Sequence, residues 1–181
     1  MFDEADRHAV LKLARDAVIA QVTGGAPPEV PPTDLFARRA GAFVTLNEHG
    51  DLRGCIGYPE ADRPLGDVVI GAAVSASTAD PRFPPVRPEE LPHLQIEVSV
   101  LSVIEPVSDP EEIEPGRHGL VVQLGRRRGL LLPQVATEWR WDRKTFIEQT
   151  CVKAGLPRDA WKHGAQLFRF EAEVFGETKR D

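Results

Sequence analysis

Two short runs in which apolar and polar residues alternate, 43–47 and 52–57, stand on either side of Glu48-His49-Gly50. No other stretch restricts the fold as much. Period-two alternation marks a half-buried strand, and a three-residue loop that ends in glycine suits the left-handed position of a hairpin turn. The spacing therefore predicts an antiparallel hairpin with Asn47 and Asp51 as its flanking pair. The register that follows sets Leu46 beside Leu52, Thr45 beside Arg53, Val44 beside Gly54 and Phe43 beside Cys55. Leu52, Gly54 and Ile56 then face the core, while Arg53 and Cys55 look the other way.

The remaining segments are compatible with such a sheet. Val10, Leu13, Ala14, Ala17 and Val18 recur at helical spacing and predict an amphipathic helix over 3–22, closed by Gly24-Gly25. A proline-rich connector follows at about 26–32. A second helix is expected over 65–79, with small residues that permit close packing on a sheet, and the alternation of 94–104 predicts the strongest strand. A second hairpin is expected from 119–124 and 129–132, with Gly125-Arg126-Arg127-Arg128 at its tip and both arms apolar enough to be covered on two faces. Helices over 134–138 and 142–154, a closing strand over 166–175 and a charged tail at about 176–181 complete the chain. This order predicts an α+β fold with a largely antiparallel sheet and flanking helices. At 181 residues it is read as a single domain, 1–181.

Composition narrows the function. A net charge of −6, with both signs mixed along the chain, disfavours a dedicated nucleic-acid binder. The acidic start is unlike a signal peptide, and no apolar run approaches the roughly 18 residues of a membrane span. The two cysteines, Cys55 and Cys151, form neither a CxxC pair nor a zinc spacing, so no metal or other cofactor is expected. Reduced thiols in the cytoplasm are the simplest reading.

Cys55 is the residue with the most chemical promise. Arg53 is two positions away on the same strand face, within reach of a guanidinium, and a nearby cation lowers a thiol's pKa. Gly54 and Gly57 leave the backbone uncovered, as where a ligand comes close; Thr45 lies across the hairpin. The alternative is a small packed cysteine beside a bulge. His118 is a candidate general base to the thiol, or a loop histidine before a turn. Glu97 and Ser99 face away from the apolar stripe of their strand, toward a ligand or toward water. Asp80 and Arg82, in a proline-rich loop, brace each other or lip the site. Arg126, Arg127 and Arg128 suit a phosphate or a solvated tip, and Trp139 and Trp141 suit a base or the core.

Leu52-Arg53-Gly54-Cys55-Ile56-Gly57 resembles the LRGCIG signature of the AMMECR domain family, whose bacterial and archaeal members are called protein A of the AmmeMemoRadiSam system. Further blocks are similar to that family's pattern: Gly41-Ala42-Phe43-Val44-Thr45-Leu46, Asp80-Pro81-Arg82-Phe83-Pro84-Pro85-Val86, the stretch from Glu97 to Ser102, the stretch from Gly129 to Ala136, and Cys151 to Pro157 with Trp161 after it. The resemblance implies an antiparallel α+β fold with a larger and a smaller lobe. It also implies association with a Memo-like protein and a radical S-adenosylmethionine enzyme. Two readings follow, an enzyme or enzyme subunit that uses Cys55 as nucleophile or redox thiol, and a docking module for those partners. A nucleic-acid-linked regulator is a third.

Overall fold

Asp3 starts the first helix, α1 (Glu4–Thr23), by a reciprocal cap: its carboxylate accepts the Asp6 N–H at 2.8 Å while Asp6 returns the contact to the Asp3 N–H. Gly24, left-handed at φ 72°, ends it. The computed structural model describes residues 2–178. Two compact units emerge. One runs to Leu101 and takes back the chain from Glu173; the other is Ser102–Ala172.

The first unit continues with a one-turn helix α2 (Asp34–Ala37) that buries Phe36, then strands β1 (Ala42–Glu48) and β2 (Asp51–Tyr58), helix α3 (Leu65–Thr78) and strand β3 (Leu94–Leu101). The strands are antiparallel in the order β2-β1-β3. Helix α3 packs on β1, on β2 and on α1. Val44, Leu46, Ile96 and Val98 from the sheet meet Val68, Val69, Ala72, Ala73 and Ala76 from α3, and α1 adds the stripe read from the sequence. The small residues of α3 let helix and sheet approach closely. The connector at 26–32 is irregular chain, and its Val30 covers Gly66 at the start of α3.

The hairpin corrects the expected register. The loop has two residues, not three: His49 and Gly50 both take positive φ, 53° and 92°, as the primed turn that matches strand twist requires. Glu48 then faces Asp51 and Asn47 faces Leu52, but Leu46 faces Gly54, so Arg53 is the extra residue of a bulge. Thr45 therefore lies beside Cys55, and Phe43 beside Gly57. Gly54 and Ile56 remain on the α3 side, whereas Leu52 is 41% exposed and anchors nothing.

The second unit holds β4 (Glu105–Pro106), β5 (His118–Leu124), β6 (Arg127–Leu131), α4 (Pro133–Glu138) and α5 (Arg143–Lys153). It also holds most of β7 (Gln166–Gly176), and its sheet order is β6-β5-β7-β4. Leu120, Val121 and Val122 are all fully buried, so β5 is covered on both faces. The hairpin tip is shorter than expected: only Gly125 and Arg126 turn, and Arg127 and Arg128 lie within β6. Arg127 Nη1 donates to Gly155 O at 2.8 Å, just past the end of α5, where carbonyls lack helical partners.

The last residues of β7 belong to the first unit, beside β3. There the Glu177 N–H bonds Ile96 O at 2.9 Å and its carboxylate accepts from Arg15 Nε at 2.9 Å. Of the expected tail, Gly176 is strand and Glu177 is pinned, while 179–181 lie outside the described residues. Among the described residues no helix is long and apolar enough to cross a membrane.

Candidate functional site at the Cys55 strand

β2 is an edge strand, so every second residue turns its N–H and C=O away from β1, and edges need some such cover. At Cys55 that cover is a pair of side chains. Asp80 Oδ2 accepts the Cys55 N–H at 2.9 Å, and Arg82 Nη2 reaches Cys55 O at 3.5 Å. Asp80 and Arg82 are themselves joined. The carboxylate accepts from Arg82 N and Nε at 3.0 Å each and from Nη2 at 2.7 Å. Asp80 follows directly on the end of α3, so the helix that packs beneath β2 also delivers the carboxylate to its edge.

Because the Cys55 N–H points outward, Thr45 and Cys55 form a non-hydrogen-bonded pair, the kind in which facing side chains are closer. Thr45 Oγ1 donates to Cys55 Sγ at 3.2 Å. Glu97 faces Thr45 from β3, so Cys55, Thr45 and Glu97 make one row across three strands. The next row is Gly57, Phe43 and Ser99; the Phe43 ring occupies the space a Gly57 side chain would need, and Ser99 is buried.

Burial pushes the Cys55 thiol above its ordinary value. The Thr45 hydrogen bond and the Arg82 charge pull it down, and the Asp80 and Glu97 charges push it up. The resting thiol is protonated at neutral pH. Replacing Glu97 with glutamine removes one upward contribution, so the pH midpoint of Cys55 alkylation is expected to fall. Replacing Thr45 with valine is expected to raise it. Alkylation rates followed against pH check both directions.

Arg53 has its donors elsewhere. Nε and Nη2 go to the Glu90 carboxylate at 2.7 and 3.2 Å, Nη1 goes to Pro84 O at 3.0 Å, and both side chains of the pair are nearly buried. Arg82 is the cation that acts on the thiol. The Phe83 ring is near both Arg53 and Arg82, with guanidinium carbons 5.9 and 5.6 Å from its centroid. Glu90 and Phe83 were missed from the sequence. Glu90 is one of two glutamates between prolines in a 3-10 stretch, Pro88–His93, and nothing in its spacing points to Arg53. The block Asp80 to Val86 did hold Phe83, but as part of a pattern without a role.

His118 belongs to the other unit. The Glu114 N–H donates to its Nδ1 at 3.0 Å, which leaves the proton of the neutral ring on Nε2, 3.9 Å from Glu171. Burial and the charges of Arg169 and Arg117 hold its pKa below the ordinary imidazole value. Glu114, Arg117, Arg169 and Glu171, which act on the ring, lie in the same unit as it does, and Cys151 of that unit is a free and fully buried thiol. Trp139 and Trp141 stack on each other at 6.0 Å, with Trp139 exposed. Among the described residues no group of three or more His, Cys, Asp or Glu is arranged to hold a metal.

Comparison with known proteins bears on the whole of this architecture. A protein from Methanothermobacter thermautotrophicus is 49% identical over 93% of this chain and 92% of its own. One from Thermococcus gammatolerans is 48% identical over 93% and 88%, respectively. The crystal structure of the uncharacterized protein PH0010 from Pyrococcus horikoshii superposes with a TM-score of 0.90 at 40% identity, covering 97% of this chain and 93% of that one. The AMMECR1 family model matches residues 11–175, which takes in both units, the Cys55 row and the Asp80–Arg82 pair. The chain belongs to the AMMECR1 family.

Proposed function

We propose that the chain is the thiol-bearing member of a system with a Memo-like protein and a radical S-adenosylmethionine enzyme, and that Cys55 is its nucleophile. The observation that carries this reading is the asymmetry of Cys55. Its backbone is fixed on the edge side by Asp80 and Arg82, while Sγ has Thr45 as its one hydrogen-bond partner among the described residues and is only partly buried. A fixed backbone with an unencumbered sulfur is what a positioned nucleophile needs. The thiol stays protonated at rest. When an electrophilic carbon arrives, sulfur forms the new bond, the leaving group departs with its electron pair, the thiol proton goes to solvent, and the Thr45 hydroxyl keeps its hydrogen bond to the sulfur.

A second reading, a docking module without chemistry, is favoured by one observation: burial holds the thiol above its ordinary value, the reverse of what most catalytic cysteines require. Intact-mass and peptide analysis of the chain isolated with both partners separates the two. The nucleophile reading expects a covalent adduct on the Cys55 peptide that is absent from Cys55→Ser. Unmodified Cys55, with association undiminished in Cys55→Ala, overturns it in favour of docking.

A further inference from the structure

Arginine carries five N–H donors arranged as two forks, one through Nε and Nη2 and one across Nη1 and Nη2. In Arg82 the first fork is closed by Asp80, Nε on Oδ1 at 3.0 Å and Nη2 on Oδ2 at 2.7 Å. Of the second fork, Nη2 makes only the 3.5 Å approach to Cys55 O, and Nη1 donates to no group among the described residues. The Asp80 side chain is 2% exposed, whereas that of Arg82 is 54% exposed. The guanidinium is thus held by a buried carboxylate, faces water with its free fork, and is aimed at the residue that carries the thiol.

We propose that this free fork binds a carboxylate of the substrate, so that the Cys55 site takes carboxylate-bearing electrophiles. The inference rests on the reading of Cys55 as a reactive thiol and adds the substrate class. The fork matches a planar carboxylate in two parallel hydrogen bonds, and such charge-assisted pairs are among the stronger contacts available to a site. Binding there replaces the long contact to Cys55 O and leaves the ligand beside the sulfur. A monoanion fits better than a phosphate dianion. Arg53 is already committed to Glu90, so among the described residues Arg82 is the one cation that acts on the thiol, and Asp80 and Glu97 add negative charge close by.

Two alkylating reagents of nearly equal size test this on the native chain: iodoacetate, which carries the carboxylate, and iodoacetamide, which does not. In both, sulfur bonds the methylene carbon, iodide leaves with the bonding pair, and the thiol proton goes to the buffer. Peptide mapping separates Cys55 from the buried Cys151. The iodoacetate-to-iodoacetamide rate ratio at Cys55 is expected to exceed that of a small free thiol by about tenfold, the worth of one charge-assisted hydrogen bond. Arg82→Gln is expected to return the ratio to the free-thiol value, and Arg82→Lys to keep part of the preference. A wild-type ratio equal to or below that of the free thiol overturns the substrate class while leaving the thiol reactive. Failure of both reagents to reach Cys55 in the native chain overturns the thiol reading itself. The wild-type ratio decides the matter even where a variant folds poorly.

Discussion

Alanine at Gly54 is expected to destabilise the first unit by about 3 kcal/mol, the upper end of the cost of overpacking. The reason is the closeness of α3 to β2. A Cβ at Gly54 would sit 2.2 Å from the carbonyl oxygen of Ala76 and 3.3 Å from its carbonyl carbon. The obstacle is helix backbone, which has no rotamer to turn away, so α3 must retreat by a large part of an ångström. That retreat carries a second consequence, because Asp80 is one turn further along and holds the Cys55 N–H. Gly71, in the same helix, provides a control of opposite sign. An added Cβ there meets only a Tyr58 ring carbon at 3.4 Å, and alanine in place of a helical glycine typically gains up to about 1 kcal/mol. Chemical denaturation of the two variants checks the signs, and iodoacetamide labelling of Cys55 should quicken in Gly54→Ala alone. Equal stabilities for the two variants would remove the claim that β2 needs glycine for the approach of the helix.

The contrast between these glycines shows what kind of information the sequence holds. Periodicity located both hairpins, the three long helices and the β3 and β7 strands because each has a buried stripe long enough to repeat. It could not set the hairpin register, since three-residue and two-residue loops both place Gly50 in a left-handed position. What separates them is the willingness of His49 to take positive φ, with the extra residue absorbed as a bulge at Arg53. That single slip moved Thr45 from Arg53 to Cys55. The side of the strand on which Cys55 lies was nonetheless legible, because Gly54 and Ile56 keep their alternation past the bulge. The environment of the thiol was not. Asp80 and Arg82 were visible as a loop pair, but their contact with Cys55 is made 25 residues away in sequence, through the end of a helix. The partner of Arg53 was equally hidden, because a 3-10 stretch of six residues leaves no periodic trace. Short irregular segments supply most of the contacts around this site. They are the part of a chain that hydrophobic patterning encodes least.

Replacing Asp80 with asparagine is expected to cost on the order of 3 kcal/mol at neutral pH, as when one partner of a buried ionic pair is removed. Isosteric shape does not help here. The two carboxylate oxygens accept four donors, namely Cys55 N, Arg82 N, Arg82 Nε and Arg82 Nη2. Asparagine has one carbonyl oxygen and must turn its NH2 toward some of these donors, so that N–H meets N–H in a place water does not reach. The exposed half of Arg82 limits the purely ionic share of the loss, because solvent screens it; the misdirected amide and the orphaned Cys55 N–H supply the rest. The pH dependence separates this account from a general packing defect. Arg82, first of all, and then the Cys55 N–H hold the Asp80 carboxyl well below the usual carboxylate range. A carboxyl with a depressed folded pKa adds stability in full above its unfolded pKa of about 3.9, and that stability is lost as pH falls through the folded value. The wild-type chain should therefore lose its advantage over Asp80→Asn progressively below about pH 4. Glu90, lowered by Arg53, adds a contribution of the same sign that both proteins share, so it cancels in the difference. Unfolding free energies measured from pH 7 down to the acid limit should converge for the two proteins. Curves that stay parallel across that range would mean that the Asp80 charge does not hold the Cys55 edge, and that the loss comes from the misdirected amide alone.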